Sequence, residues 1–234
     1  SANICLAEFY KNKRKMSEEY FINANKCIST MQRTPIYARQ QRYSNLVEYF
    51  SKFKEDLITN KINSDKGKGL IFIIGMPRSG TTLTESILAT ANDTIAGGEK
   101  VFFTNNLWEI FSDLKPGQTL NPQFIEELGD RYLDTIKLHR DGALYFIDKM
   151  PANFLFYKFI KLALPGSKFI HTYRNPWDNA ISLFKANYQD TVIYASSFFG
   201  IATEYSNYSN LMKFWKKISK ENPFLDMSYE ELVS

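Results

Sequence analysis

Two glycines and an arginine in a short loop form the first pattern that could do chemistry. The loop runs from Gly75 to Gly80 and contains Arg78, and two hydroxyl residues, Thr81 and Thr82, follow it. The backbone N–H groups of such a loop and of a following first helical turn have no intrahelical partner, and the helix dipole favours negative charge there. A guanidinium adds paired hydrogen bonds to phosphate or sulfate oxygens. These residues therefore predict a site for a phosphate-containing ligand.

The segments on either side of the loop are the elements that such a site requires. Residues 70–74, immediately before it, are rich in β-branched and aromatic side chains, which is typical of a buried parallel strand. After it, Leu83, Ile87 and Leu88 share one face of a helix. A strand, a glycine loop and a helix in this order predict an α/β fold with a central parallel sheet.

The loop departs from the Walker A motif, GxxxxGK[ST], at one position. Gly75 and Gly80 have the Walker spacing, but Thr81 stands where the motif has lysine. Nucleoside triphosphate enzymes use that lysine on the β- and γ-phosphates. The cation here is Arg78, inside the loop, and the structural alternative is a tight turn whose arginine faces solvent.

The segment LYFIDKMPANF, residues 144–154, is the second pattern. Leu144 to Ile147 form a buried strand, and Asp148 and Lys149 follow at its end. As part of a Walker B motif, Asp148 would hold magnesium. A salt bridge at the end of the strand is the structural alternative, and many such ion pairs are energetically inert.

A third pattern lies in residues 164–188. A strand over 168–173 ends at Arg174, a helix with an early Pro176 follows, and Ser182 falls in its second turn. A rigid guanidinium fork and a hydroxyl near a helix N-terminus suit a dianion, although Arg174 could also serve as a helix cap. His171, inside the strand, is predicted to be a packed core histidine.

Glu99 is the candidate general base. A short strand ending in Gly97-Gly98-Glu99 would place this residue at the carboxyl end of the sheet, where open α/β sheets bind ligands. A carboxylate beside an acceptor hydroxyl can take its proton. The residues themselves leave open a second role, a carboxylate at a helix N-terminus stabilised by the dipole.

These patterns together resemble a known family. GMPRSGTTL, residues 75–83, resembles the 5′-phosphosulfate loop of sulfotransferases that use 3′-phosphoadenosine 5′-phosphosulfate (PAPS). Its form is most similar to bacterial sulfotransferases fused to tetratricopeptide repeats (TPR), which are related to tyrosylprotein sulfotransferases. DKxP followed by Asn153, the arginine and serine eight residues apart, and a YExL segment near the end are also similar to this family. The resemblance covers residues 70–234.

The resemblance implies transfer of a sulfuryl group from PAPS to an acceptor hydroxyl, in protein tyrosine, a sugar or a small molecule. It implies that Glu99 is the catalytic base, that Lys149 and Arg78 stabilise the leaving group, and that Arg174 and Ser182 bind the 3′-phosphate. The 5′-phosphosulfate would be held by the loop residues Pro77, Arg78, Ser79, Gly80, Thr81 and Thr82. No metal is expected.

The length of 234 residues suits one α/β domain with a small helical appendage. Residues 1–62 are predicted to be helical, with a pair resembling one TPR unit and a further helix around Tyr43 to Ile58. The pair is either the last unit of a TPR array or a helical hairpin packed on the following domain. Residues 63–69 form a polar linker, and residues 70–234 a P-loop-like three-layer domain. Because family members usually continue with a basic segment, the chain is expected to be truncated at its C-terminus.

Composition adds weak constraints. The formal charge of +4 is mild and implies neither a nucleic-acid partner nor a membrane surface, and no apolar run has the length of a transmembrane helix. Cys5 and Cys27 give no disulfide framework or zinc spacing, which favours a reducing, cytoplasmic compartment. Two other functions stay open at this point: a P-loop kinase that uses Asp148, and a non-catalytic TPR-linked binding module.

Overall fold

A computed structural model describes residues 18–20, 22–26, 36–53, 62–113, 120–186, 188, 192–219 and 223–234. Much of the helix pair predicted to resemble a TPR unit, including residues 1–17, lies outside these residues, as do both cysteines. Helix α1 runs over Ile36–Ser51, so it begins seven residues before the predicted helix at Tyr43. The apolar positions near Tyr43 belong to this helix.

The described residues belong to two compact units. The first contains residues of the ranges 1–41 and 175–209, and the second contains residues of the ranges 42–174 and 210–234. The domain boundary predicted at residues 63–69 stays a prediction. Those residues form consecutive turns leading into the first strand.

The first unit contains a buried ion pair. Arg39 donates two hydrogen bonds to the carboxylate of Glu204, at 2.8 and 3.2 Å, and its guanidinium lies 4.9 Å from the ring centroid of Tyr194. The Glu204 side chain is 6% exposed, so the bidentate contact compensates the cost of its burial. In the same unit, the Asn175 side chain accepts a hydrogen bond from the backbone N–H of Trp177 at 2.9 Å and so caps the helix that begins at Pro176.

The second unit is built around a five-stranded sheet in the order β2-β3-β1-β4-β5. Every neighbouring pair is parallel, which confirms the predicted α/β class with a central parallel sheet. The strands are β1 (Leu70–Gly75), β2 (Thr94–Ala96), β3 (Tyr145–Lys149), β4 (Lys168–Tyr173) and β5 (Leu225–Ser228). The strand predicted over 168–173 has the predicted bounds. The strand predicted from Leu144 to Ile147 begins one residue later, with Leu144 and Tyr145 exposed, and extends two residues further, through Asp148 and Lys149.

Seven further helices follow α1 among the described residues. They are α2 (Thr81–Leu88), α3 (Phe102–Asp113), α4 (Pro122–Arg140), α5 (Tyr157–Ala163), α6 (Pro176–Ala186), α7 (Phe198–Ile218) and α8 (Tyr229–Val233), with 3₁₀ helices at Pro151–Leu155 and Ile193–Ser196. The start of α4 shows why such boundaries form: the Asn121 side chain accepts from Gln123 N, and proline is the first helical residue. No helix in the described part of the chain is long and apolar enough to cross a membrane.

The two faces of the sheet carry different side chains. One face is aliphatic, with Leu88 of α2 packed against a buried cluster of Ile73, Ile147 and Ile170. The other is aromatic: Phe72 lies 5.1 Å from Phe169 and 5.7 Å from Tyr132 between ring centroids. Because side chains alternate along a strand, burial of both faces makes the strands nearly continuous apolar runs. That is why β1 could be recognised from the sequence.

The order of the strands determines where a ligand can bind. The chain leaves β1 toward β2 on one edge of the sheet, whereas it leaves β4, on the other side of β1, toward β5 on the opposite edge. Connections that diverge in this way open a crevice at the carboxyl ends of the two strands, where open α/β sheets bind ligands. The loop 75–80 follows β1, and Arg174 follows β4, so both lie at this crevice.

His171 is a packed histidine, as predicted. It is 7% exposed, and its Nδ1 lies 2.7 Å from Oδ1 of Asp226 on β5, whose other carboxylate oxygen pairs with Lys216. Burial lowers the pKa of His171. Partial burial acts to raise the pKa of Asp226, but hydrogen bonds from Lys216 and His171 lower it overall. The cluster joins β4, β5 and α7.

Candidate functional site

The loop after β1 has backbone angles that suit glycine and strain arginine. Gly75 has φ 153°, and a Cβ there would lie 2.3 Å from the carbonyl oxygen of Thr172 on β4. Gly80 has φ 101°, and Arg78 has φ 69°, in the left-handed region. A left-handed conformation is uncommon outside glycine, and such residues concentrate at binding sites. Arg78 is exposed, so its side chain can reach a ligand.

The N-cap residue of α2 makes no side-chain hydrogen bond to the helix. This residue is Gly80, which has no side-chain acceptor for the first-turn N–H groups, so these groups keep the electropositive character that attracts anions. The hydroxyls of Ser79 and Thr172 are 2.9 Å apart and buried, which fixes the loop to β4. Of the predicted binding residues here, Thr81 is buried and Thr82 is exposed.

Two of the predicted catalytic residues meet. Lys149, the last residue of β3, places Nζ 2.6 Å from Oε1 of Glu99. The lysine side chain is 8% exposed and the glutamate side chain 56% exposed, so the pair lies at the border of the interior and solvent. Lys149 also pairs in register with Ile73 of β1, two residues before Gly75. The ion pair therefore lies at the same edge of the sheet as the glycine loop.

Arg174 is held by an aromatic ring that the sequence analysis did not assign a role. Its guanidinium carbon lies 4.3 Å from the ring centroid of Tyr229, the first residue of α8, a distance typical of cation–π contacts. Its Nε is buried with no hydrogen-bond partner among the described residues. A Cβ at Gly80 would lie 2.7 Å from Cδ2 of Tyr229, so one ring contacts both the loop and Arg174. Its position in the YExL segment, directly after β5, was the available signal.

Two other predicted binding residues have simpler surroundings. Pro77 is partly buried within the loop, and Ser182 is partly buried in α6, in the first unit. Arg174 belongs to the second unit. Their joint binding of a 3′-phosphate stays a prediction.

Asp148, the residue before Lys149, is an interior group. It is 1% exposed, and the Tyr132 hydroxyl donates a 2.7 Å hydrogen bond to its Oδ2, while Oδ1 has no hydrogen bond of ordinary geometry among the described residues. Burial is the main cause that raises the pKa of Asp148 to about 7, and the nearby Glu85 carboxylate raises it further. The hydrogen bond from Tyr132 and the interactions with Lys100 act to lower the pKa. A carboxyl group enclosed in this way does not fit the exposed metal ligand of a Walker B motif.

The raised pKa of Asp148 predicts how the stability of the fold changes with pH. Between pH 4 and 7 the folded chain binds a proton at Asp148 that the unfolded chain releases, so the Asp148 contribution to stability is present below pH 4 and is lost as pH rises through about 7. We expect Asp148→Asn, compared with the unaltered chain in urea unfolding, to gain relative stability as pH rises from 4 to 7, so that the difference in unfolding free energy is about 3 kcal/mol larger at pH 8 than at pH 5. His171 titrates in both chains, so its effect cancels. A difference that does not change with pH would contradict this prediction.

Glu85 is the second residue that the sequence analysis missed. It lies in α2, is 8% exposed, and its Oε1 accepts a 2.9 Å hydrogen bond from the backbone N–H of Gly98. Gly98 is next to Glu99, so the contact reaches the segment that carries the candidate base. A helical glutamate is ordinarily solvated, and the sequence therefore gave no reason to select it.

Comparison with known proteins gives this arrangement a family. The profile described as "Sulfotransferase family" matches residues 71–234, which include the glycine loop, Glu99, Lys149, Arg174 and Ser182. A protein of Aquifex aeolicus (strain VF5), described as an uncharacterized protein, is 30% identical over 177 residues, which is 70% of this chain and 23% of that protein. The chain thus spans about a quarter of the length of this relative. Because this profile covers most of the chain, including nearly all of β1, the glycine loop and the rest of the parallel sheet, the chain belongs to the sulfotransferase family.

Proposed function

We propose that this chain transfers the sulfuryl group of PAPS to a hydroxyl acceptor. The observation that carries the proposal is the 2.6 Å contact of Lys149 with Glu99 at the sheet edge that also holds the uncapped glycine loop. A cation, a carboxylate and a set of backbone donors at one edge are the groups that transfer between two oxygen atoms requires. Membership of the sulfotransferase family supports the same assignment.

Each residue has a distinct task in this proposal. The guanidinium of Arg78 and the backbone N–H groups from Ser79 to Thr82 bind the 5′-phosphosulfate, and Pro77 lies against it in the same loop without donating a hydrogen bond. Arg174 and Ser182 bind the 3′-phosphate. Lys149 stabilises the negative charge that develops on the oxygen bridging phosphorus and sulfur.

Glu99 acts on the acceptor. The acceptor hydroxyl gives its proton to the Glu99 carboxylate while its oxygen forms a bond to sulfur, and the bond from sulfur to the bridging oxygen breaks. The electron pair of that bond stays on the 5′-phosphate, so the products are a sulfate ester and 3′,5′-bisphosphoadenosine. Because Lys149 contacts Glu99 in this structure, the two side chains must separate for both tasks to be carried out.

The acceptor that we propose is a tyrosine in a peptide, with sugar hydroxyls and small metabolites as the other classes to test. The similarity to TPR-fused and tyrosylprotein sulfotransferases favours a polymer. A phenol, with a pKa of about 10, also loses a proton to a carboxylate more readily than an aliphatic alcohol does. The repeat-fused subtype, and a role of residues 1–62 in binding the acceptor, are part of this proposal.

The experiment that tests the donor is calorimetric titration of the chain with 3′,5′-bisphosphoadenosine and, separately, with ATP and magnesium. We expect saturable 1:1 binding of the bisphosphate and at least about 10-fold weaker binding of ATP, because ATP lacks a 3′-phosphate for Arg174. Tight binding of ATP with magnesium and no binding of the bisphosphate would contradict the proposal and favour a kinase.

A further inference from the structure

The segment carrying Glu99 is fixed to β3 by its backbone. Gly97 N donates to the carbonyl oxygen of Ile147 at 2.7 Å, and Lys149 N donates to the carbonyl oxygen of Gly98 at 3.0 Å. A Cβ at Gly97 would lie 2.3 Å from Cζ of Phe146, and Gly98 has φ 67°. This turn fits closely against the strand that provides Lys149, and the two glycines permit the fit.

Glu85 fixes the same turn from the opposite side. Its Oε1 accepts a hydrogen bond from the Gly98 N–H at 2.9 Å. Glu85 is nearly buried, with 8% of the residue exposed. A hydrogen bond to a buried carboxylate is stronger than one between neutral groups and is costly to lose. Gly98 thus has both backbone groups engaged: its N–H by α2 and its carbonyl by β3.

The contact joins two parts of the proposed site. Helix α2 begins at the glycine loop, and Glu85 lies in its second turn. The peptide group of Gly98 directly precedes Glu99, whose carboxylate meets Lys149. A continuous set of contacts therefore runs from the glycine loop through α2 and Glu85 to Gly98, and from there to the Glu99–Lys149 pair.

We propose that Glu85 is a positioning residue for sulfuryl transfer: through the Gly98 N–H it holds the turn that places Glu99 against Lys149. This inference rests on the proposed function for its effect on turnover, whereas the Gly98 contact can be tested without activity. Glu85 touches neither donor nor acceptor in this proposal. Its loss should therefore change turnover more than binding, since a small displacement of a catalytic group can cost about 100-fold in rate.

The test compares two replacements of Glu85. Glu85→Met keeps the length of the side chain but has no acceptor oxygen of comparable strength, and Glu85→Gln keeps a carbonyl oxygen for Gly98 N–H. Hydrogen exchange of the Gly98 amide, measured by NMR, is expected to be at least about 10-fold faster in Glu85→Met than in the unaltered chain and near the unaltered rate in Glu85→Gln. Glu109, exposed on α3, provides the matched control as Glu109→Met.

The same variants are assayed for transfer from PAPS to 4-nitrophenol, used as a simple phenol probe, and for binding of 3′,5′-bisphosphoadenosine. We expect kcat to fall about 10- to 100-fold in Glu85→Met, with recovery in Glu85→Gln and affinity for the bisphosphate within about 3-fold in both. If Glu85→Met does not fold, the positioning role is tested by the protection of the Gly98 amide against hydrogen exchange in the unaltered chain and in Glu85→Gln.

Three results separate the inference from the proposed function. A Gly98 amide that exchanges as fast as an exposed loop amide in the unaltered chain would overturn the positioning role. Faster exchange in Glu85→Met with unchanged kcat would overturn it as well. Failure of the unaltered chain both to bind the bisphosphate and to transfer, with Gly98 protected by Glu85, would overturn the proposed function and uphold the contact.

Discussion

Replacing Glu99 by glutamine is expected to reduce transfer from PAPS by about 100- to 10,000-fold, the usual contribution of a general base. In the present chain the Glu99 carboxylate lies 2.6 Å from Lys149 Nζ. Glutamine keeps an oxygen for that contact but is not a base that can remove a proton from the acceptor hydroxyl. We expect binding of 3′,5′-bisphosphoadenosine to be unchanged or a few-fold tighter, because Lys149 is no longer neutralised by a carboxylate. Steady-state kinetics and calorimetry on one preparation measure both effects.

Glu109→Gln, a change of the same chemistry on the exposed face of α3, is the control for nonspecific loss. Lys149 is 6% exposed, so Glu99→Ala risks leaving a nearly buried charge without its partner. Glutamine is preferred for that reason. Turnover in Glu99→Gln at the level of the unaltered chain would rule out the base role, even if Lys149 kept its own role in stabilising the leaving group.

Replacing Arg174 by alanine is expected to weaken binding of 3′,5′-bisphosphoadenosine by about 100-fold, because removing one partner of a desolvated charge pair typically costs 2 to 5 kcal/mol. Arg174 is half-buried at the end of β4, and its Nε is enclosed without a partner among the described residues. Adenosine 5′-phosphosulfate, which lacks the 3′-phosphate, is expected to bind equally weakly to both chains. Calorimetry with the two nucleotides distinguishes loss of one contact from loss of the site.

Two further variants test how Arg174 is held. Tyr229→Phe keeps the ring that lies 4.3 Å from the guanidinium, and we expect its affinity for the bisphosphate to be near that of the unaltered chain. Tyr229→Ala removes the ring and should weaken binding, by less than Arg174→Ala does. Arg131→Ala, at an exposed arginine of α4 that contacts Asn106, is the matched control. Equal affinities for the bisphosphate in Arg174→Ala and Arg131→Ala would contradict a role for Arg174 in donor binding.

The sequence by itself determined the central strand, the loop and the class of fold. Residues 70–74 are apolar without interruption because both faces of the sheet are covered, and glycine is needed at position 75, where a Cβ would meet the carbonyl oxygen of Thr172. These are local requirements, so they leave a local pattern. The candidates Glu99 and Arg174 could be named for the same reason, since each follows a predicted strand, where parallel sheets bind ligands. Lys149 was selected by the resemblance of DKxP to the family motif.

Tertiary structure decided which of these groups meet and what holds them. Glu99 and Lys149 are 50 residues apart, and their contact depends on β2 lying beside β3, which no local pattern specifies. Glu85 and Tyr229 were overlooked because their roles come from the partners they reach, the Gly98 N–H and the Arg174 guanidinium. Asp148 was open to interpretation as a metal ligand until its burial against Tyr132 was known. Burial, hydrogen-bond partners and strand order are properties of the folded chain, because they arise from contacts between residues distant in sequence.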